Sequence, residues 1–193
     1  MSEQATIKYI QAPLTAETIK DLHAGDVVRI SGYIYTARDD AHKRLYEALG
    51  RGEKLPLDLK DNVIYYVGPT PAKPGEVVGS AGPTTSGRMD KYTPTMIEQG
   101  MRGMIGKGLR SPAVIEAIVR NGAVYLAAMG GAGAVMSASV TQAEVICWED
   151  LGCEAVRRLT VQNMPLTVAV DSYGGNIYES GPAAYLASLK GGK

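Results

Sequence analysis

Over the second half of the chain, short apolar runs alternate with helical segments about ten residues long, a pattern that forces successive strands to run the same way through helical crossovers. Met104-Ile105, Ala123 to Ala128, Glu144 to Trp148 and Leu166 to Asp171 read as strands. Helices are expected from Pro94 to Gln99, from Ser111-Pro112 to Asn121-Gly122, from Gly130 to Ala138, from Leu151 to Arg158 and from Pro182 to Leu189. Thr93-Pro94 and Ser111-Pro112 are start signals, and Gly100 and Gly122 are stops. The first half adds a helix from Leu14 to Leu22 opened by Thr15 and an alternating strand from Val27 to Tyr35. A helix from Ala37 to Leu49 follows, capped by Thr36 and closed by Gly50, and then a β-rich run from Asn62 to Val67. The expected fold class is α/β, with a mostly parallel sheet and the two early strands in a second, smaller, antiparallel β layer.

The length of 193 residues suits one domain spanning 1–193, large enough to bury a core without disulfide staples. Twenty basic and twenty acidic side chains cancel, which removes the electrostatic case for general nucleic-acid binding. The N-terminal stretch MSEQATIKYI carries no basic-then-apolar targeting pattern, and no run approaches the roughly 18 apolar residues of a membrane span. A soluble, cytoplasmic protein is expected. Cys147 and Cys153 stand alone without a His or Cys cluster, so this chain is expected to hold neither metal nor cofactor, and both read as reduced structural thiols. Eleven tyrosines and no phenylalanine place many rings at edges or interfaces, because a buried tyrosine needs a partner for its hydroxyl.

Three segments put cations at the ends of predicted elements. In GPTTSGRMD, Gly82 to Asp90, Thr84, Thr85, Ser86 and Arg88 sit in a glycine- and proline-framed loop, which reads either as an anion cradle or as an ordinary solvated connection. In TARDDAHKR, Arg38 follows a strand and starts a helix, where a ligand carboxylate would meet the guanidinium and the free N–H groups of the first turn. The alternative is that Arg38 pairs with Asp39 or Asp40. His42 reads as a helix-face residue or a proton carrier. In GMIGKG, Lys107 lies between glycines after an apolar strand; a Walker loop is excluded by Met101 and Gly108, and a dinucleotide fingerprint at Gly130 to Gly133 by Met136. Brought together at the carboxyl ends of strands, Arg38, Arg88 and Lys107 suit a small dicarboxylate. The intervening GPTPAKPGEVVGSAGP, residues 68–83, is too rich in breakers for regular structure.

TARDDAHKRL, YYVGPTPAKPGEVVGSAGPTTSGRMDKYTP, GMIGKG and EDLGCEAVRRL, in this order, resemble the β subunit of two-subunit class I iron–sulfur fumarate hydratases, equivalent to the C-terminal domain of the single-chain forms. The L-tartrate dehydratase β subunit shares the layout. The resemblance covers nearly the whole chain and implies a swivelling β/β/α domain. It also implies a hydro-lyase adding water to fumarate to give (S)-malate, at a [4Fe–4S] cluster with one iron open to substrate. The cluster ligands lie on the partner α subunit, in a hetero-oligomer such as a dimer of heterodimers. By the same resemblance Arg38, Thr84, Thr85, Arg88 and Lys107 bind substrate, with Thr84, Thr85, Arg88 and Lys107 catalytic. Two departures stand out: Tyr173, in VDSYGGNIY, occupies the place of a histidine common in the family, and Cys153 that of a frequent proline. Fumarate is favoured over tartrate because TARDDAHKRL and GPTTSGRMDKYTP resemble the fumarate hydratase versions more, whereas tartrate subunits are expected to carry a cysteine-bearing CRD-type segment. A non-catalytic anion-binding or assembly subunit is the reading from another class.

Overall fold

The computed structural model describes residues 6–190; the first five residues of the stretch read for targeting signals, and the last three of the chain, lie outside them. Among the described residues, seven strands form one sheet in the order β1-β2-β3-β4-β5-β7-β6. They are β1 (Ile7–Ala12), β2 (Val27–Thr36), β3 (Val63–Tyr65), β4 (Gly103–Gly106), β5 (Val124–Ala127), β6 (Val140–Cys147) and β7 (Val156–Val170). β1 through β5 pair parallel in sequence order, whereas β7 runs antiparallel to β2, β5 and β6. The fold is therefore α/β with a mostly parallel sheet and added antiparallel strands.

Because the 15-residue β7 hydrogen bonds to both β2 and β5, the strands β2, β3, β4, β5 and β7 close into a ring. A bulge at Gly32 helps β2 make the bend. Gly32 has φ +108°, and a β-carbon there would stand 2.2 Å from the Ala12 carbonyl oxygen, so only glycine fits this crossing. Ile30, Ile34, Tyr65, Ile105, Leu126 and Val168 fill one side of the sheet. The other side carries Ile64, Tyr66, Met104 and Tyr125 against helices α2 (Asp39–Gly50), α3 (Thr93–Glu98) and α4 (Pro112–Asn121). Alternate residues of β3 and β4 thus enter different layers, as period-two side-chain geometry dictates.

Several local expectations hold. Thr15 caps α1 (Ala16–Lys20) through Thr18 N–H at 3.1 Å, and Ser111 with Pro112 opens α4, which ends on Gly122 in the left-handed conformation. Others are corrected. Thr36 does not cap α2; its hydroxyl accepts from Arg157 N–H at 3.0 Å, and Arg38 takes the cap position without a side-chain bond. Thr93 lies inside α3 rather than before it. The helix read from Leu151 to Arg158 is a 3-10 segment, Glu149–Glu154, and Arg157 and Arg158 already belong to β7. There, pairing with β6, including the Arg158–Glu144 salt bridge at 2.7 Å, outweighs the helical composition of EAVRRL. The strand read from Glu144 starts at Val140, and the helix read from Gly130 spans only Gly133–Ala138 (α5). The terminal helix, α6 (Ile177–Lys190), begins before Pro182 and contains it. β1 was not anticipated, and β3 lies in the parallel part of the sheet rather than in an antiparallel layer.

Most of the tyrosines are at least partly exposed, as expected, and Tyr65, Tyr66 and Tyr125 are fully buried. Each has a hydroxyl partner: the Ala81 carbonyl at 2.5 Å for Tyr65, Thr93 Oγ1 at 3.3 Å for Tyr66 and the Gly108 carbonyl at 2.9 Å for Tyr125.

Candidate functional site

The four strands β2 to β5 run parallel, so the segments that follow them leave the sheet at one end. Arg38 follows β2, the 66–85 segment follows β3, Lys107 follows β4 and the glycine turn at 130–133 follows β5. Backbone bonds stitch these segments together. Thr84 N–H donates to the Tyr66 carbonyl at 2.7 Å, Thr85 bridges to Lys107, and Ser86 N–H donates to the Lys107 carbonyl at 2.9 Å. Ala81 N–H reaches the Gly133 carbonyl at 3.1 Å. The breaker-rich loop is thus docked at its far end by ladder-like bonds that its own sequence does not encode.

The Thr84–Arg88 stretch can lie this close to β4 because Gly106 has no side chain. A β-carbon there would stand 2.0 Å from Ser86 Oγ, which also bonds Tyr125 Oη at 2.9 Å, and 3.0 Å from the Tyr66 ring. Gly106→Ala is expected to push Ser86 off Tyr125 and to lower the unfolding free energy by about 1–3 kcal/mol. Urea titration checks this; an unmoved midpoint would mean that Ser86 yields without cost.

The cations are joined by the chain's own carboxylates. Arg88 Nε donates to Asp39 Oδ1 at 2.8 Å, and Arg38 Nη2 lies 3.7 Å from Asp39 Oδ2 and 3.4 Å from Glu154 Oε1. Asp39 therefore links the two arginines. Glu154 also accepts from Asp40 N–H at 3.0 Å. The place where a ligand carboxylate was expected, between the Arg38 guanidinium and the first turn of α2, is taken by the Glu154 side chain. Arg38 pairs with Asp39 and Glu154, not with Asp40, and these contacts do not saturate it: Arg38 Nε and Asp39 Oδ2 are buried without a hydrogen-bond partner among the described residues. Lys107 has no carboxylate in salt-bridge reach among the described residues, and its chain passes Gly130, where a β-carbon would lie 3.6 Å from Lys107 Cδ and 4.0 Å from Nζ.

His42 is a helix-face residue, on the buried face of α2. It is fully buried, edge-on to Tyr66, and burial pushes its pKa from 6.5 down to about 4. Its Nδ1 lies 2.9 Å from the Arg38 carbonyl, which already accepts the His42 backbone N–H at 2.8 Å. An acceptor on that side assigns the proton to Nδ1 and leaves Nε2 bare. His42 thus holds the backbone of Arg38 while remaining neutral at pH 7.

Four residues of this region escaped the sequence reading as functional candidates: Asp39, Asp90, Arg110 and Glu154. Asp39 and Asp90 lie inside the motifs already quoted, so their proximity was legible. Glu154 is remote in sequence from Arg38, and nothing local announces the contact. Tyr173 lies beyond the carboxyl end of antiparallel β7, where Thr167 pairs with Val27 at the start of β2, and therefore at the opposite end of the sheet. It stacks on His23 and donates to the Lys20 carbonyl at 2.9 Å. A separate cleft of about 490 Å3 between Pro69–Ala72, Ala143–Val145 and Gly152-Cys153 contains none of the five candidate residues. Its Arg157 is spent on the Gly152, Cys153 and Ala155 carbonyls.

A family profile described as Fumarase C-terminus matches residues 1–181. A Methanocaldococcus jannaschii protein provisionally named L(+)-tartrate dehydratase subunit beta is 40% identical, over 90% of this chain and 92% of its own. The aerobic class I fumarate hydratase of Salmonella typhimurium is 38% identical over 84% of this chain, and the mitochondrial fumarate hydratase 1 of Leishmania major 39% over 78%. The matched regions span 30% and 28% of those two hydratases.

Proposed function

Since the chain belongs to the Fumarase C-terminus family, we propose that it is the β-type subunit of a hydro-lyase that interconverts fumarate and (S)-malate, contributing the dicarboxylate-binding half of the active site. The observation that carries this reading is the under-satisfied Arg38. Asp39 and Glu154 pair with Arg38 Nη2 and leave its Nε without an acceptor among the described residues, so the guanidinium keeps donor capacity for a substrate carboxylate. Arg88 and Lys107 stand on the neighbouring segments as the further cations, and Thr84 and Thr85 lie between them in the same stitch.

The chemistry follows from charge. Removing a proton beside a carboxylate builds negative charge on that carboxylate, so cations held at its oxygens stabilise the transition state more than the ground state. Arg38, Arg88 and Lys107 do this work, and Thr84 and Thr85 orient the substrate through their hydroxyls. The described residues form no group of three or more His, Cys, Asp or Glu side chains that would hold a metal ion, and Cys147 and Cys153 are free thiols. An iron–sulfur cluster does not fit this chain, and we assign its ligands to an α-type partner.

The match over 90% of this chain and 92% of a protein named as a tartrate dehydratase β subunit favours one second reading, dehydration of L-tartrate by the same arrangement. Co-expression with an α-type subunit, followed by an anaerobic assay on fumarate, malate and both tartrates, decides between them. The isolated chain is expected to be colourless, iron-free and inactive, with turnover of fumarate and malate only in the assembly. Faster turnover of tartrate selects the second reading, and robust turnover by the isolated chain overturns the subunit assignment.

A further inference from the structure

Behind the candidate site lies a buried cation that the proposed chemistry does not use. Arg110 has no exposed side-chain surface; its Nε donates to Asp90 Oδ1 at 2.8 Å and its Nη2 to Thr93 Oγ1 at 3.0 Å. Its guanidinium carbon lies 5.2 Å from the Tyr66 ring centre and 5.0 Å from that of Tyr125. The second Asp90 oxygen accepts from Ser111 N–H at 2.5 Å, and Thr93 Oγ1 donates to the Met89 carbonyl at 3.0 Å. Tyr125 joins Ser86 Oγ to the Gly108 carbonyl, both at 2.9 Å. These bonds fasten Ser86, Met89, Asp90 and Thr93, which flank Arg88, to Gly108, Arg110 and Ser111, which follow Lys107.

We propose that Arg110, with Asp90, is a positioning residue that fixes the Arg88 segment relative to the Lys107 segment, and so sets the separation at which a dicarboxylate is gripped. The proposal rests on the hydro-lyase reading for its consequence, not for its geometry. A planar five-donor fork serves Asp90, Thr93 and the Tyr66 hydroxyl together; a lysine ammonium keeps the charge and loses that geometry. Asp90 is equally specific. Both of its oxygens face donors, Arg110 Nε–H and Ser111 N–H, so an asparagine turns its amide nitrogen toward one of them and leaves that donor unmatched.

The test has two arms. In the isolated chain, amide hydrogen exchange at Ser86 and Ser111 is expected to accelerate at least about tenfold in Arg110→Lys, while the amides of β5 keep their protection. Unchanged exchange at Ser86 and Ser111 overturns the proposal. If Arg110→Lys opens β5 equally, Asp90→Asn is measured in its place, and uniform loosening there too reduces the pair to general stability and overturns the positioning role. In the assembled enzyme, Arg110→Lys is expected to lower kcat/KM about tenfold, but less than about twofold in an Arg88→Ala background, because its effect passes through Arg88. Equal losses in both backgrounds overturn it. A wild-type assembly inert on every diacid, with the exchange result as expected, sinks the hydro-lyase reading and leaves the positioning role standing.

Discussion

Arg38→Ala is expected to lower kcat/KM on fumarate about a thousandfold in the assembled enzyme, the upper end of what loss of a single transition-state donor ordinarily costs. The reason is the company Arg38 keeps. Asp39 and Glu154 both lie against its guanidinium, at 3.7 and 3.4 Å, and deleting it leaves two carboxylates facing an incoming dianion. Like charges at such separations repel, so the variant loses an attraction and gains a repulsion. Adding Glu154→Gln to Arg38→Ala is expected to recover about tenfold, since glutamine keeps an acceptor for Asp40 N–H and removes one negative charge. Steady-state kinetics of the two variants check this. No recovery in the double variant would mean that Glu154 is too well screened to affect substrate, and a loss below tenfold for Arg38→Ala would remove Arg38 from the site.

Acidification from pH 7 to pH 4 is expected to cost the folded chain about 3 kcal/mol through His42 alone. The native pKa is lowered to about 4 from 6.5 by burial, reinforced by the nearby Arg110 charge and partly offset by the bond to the Arg38 carbonyl and by Asp39. Between those two values the unfolded chain takes up a proton that the native chain refuses. The stabilisation is therefore complete above about pH 6.5, declines as pH falls and is exhausted near pH 4. His42→Asn keeps a side-chain N–H for the Arg38 carbonyl and cannot titrate, so its unfolding free energy is expected to lose this slope. Urea denaturation between pH 4 and 7 measures the difference between the two proteins, and parallel curves would show that His42 is hydrated in the native state.

How much could be read in advance differs between particular residues. The Thr15 cap, the Ser111-Pro112 start and the Gly122 stop are settled by bonds and dihedrals within a few residues, and the structure keeps them. EAVRRL has helix-forming composition, yet Val156, Arg157 and Arg158 are strand, because β6 offers partners that local propensity does not see. Thr36 and Thr93 have the chemistry of helix caps but spend their hydroxyls on Arg157 N–H and on Arg110 with the Met89 carbonyl. β1 gave too weak an alternation to stand out until its pairing with β2 was known. In the candidate site, Arg38, Thr84, Thr85, Arg88 and Lys107 announced themselves as residue types in punctuated loops, whereas the contacts of Glu154 and Arg110 join distant segments.

The sequence by itself determined the α/β alternation, the positions of most turns and the residue types on which the proposed dicarboxylate site draws, since these depend on periodicity and on the chemistry of single side chains. Only the tertiary structure decided that β7 closes the sheet by reaching β2 and β5, that Glu154 occupies the mouth of α2 beside Arg38, and that Arg110 and Asp90 tie two loops from below. Those outcomes depend on which strands share hydrogen bonds and which charges are buried together. Such choices are made by competition among non-local partners, and no short window of residues records the result.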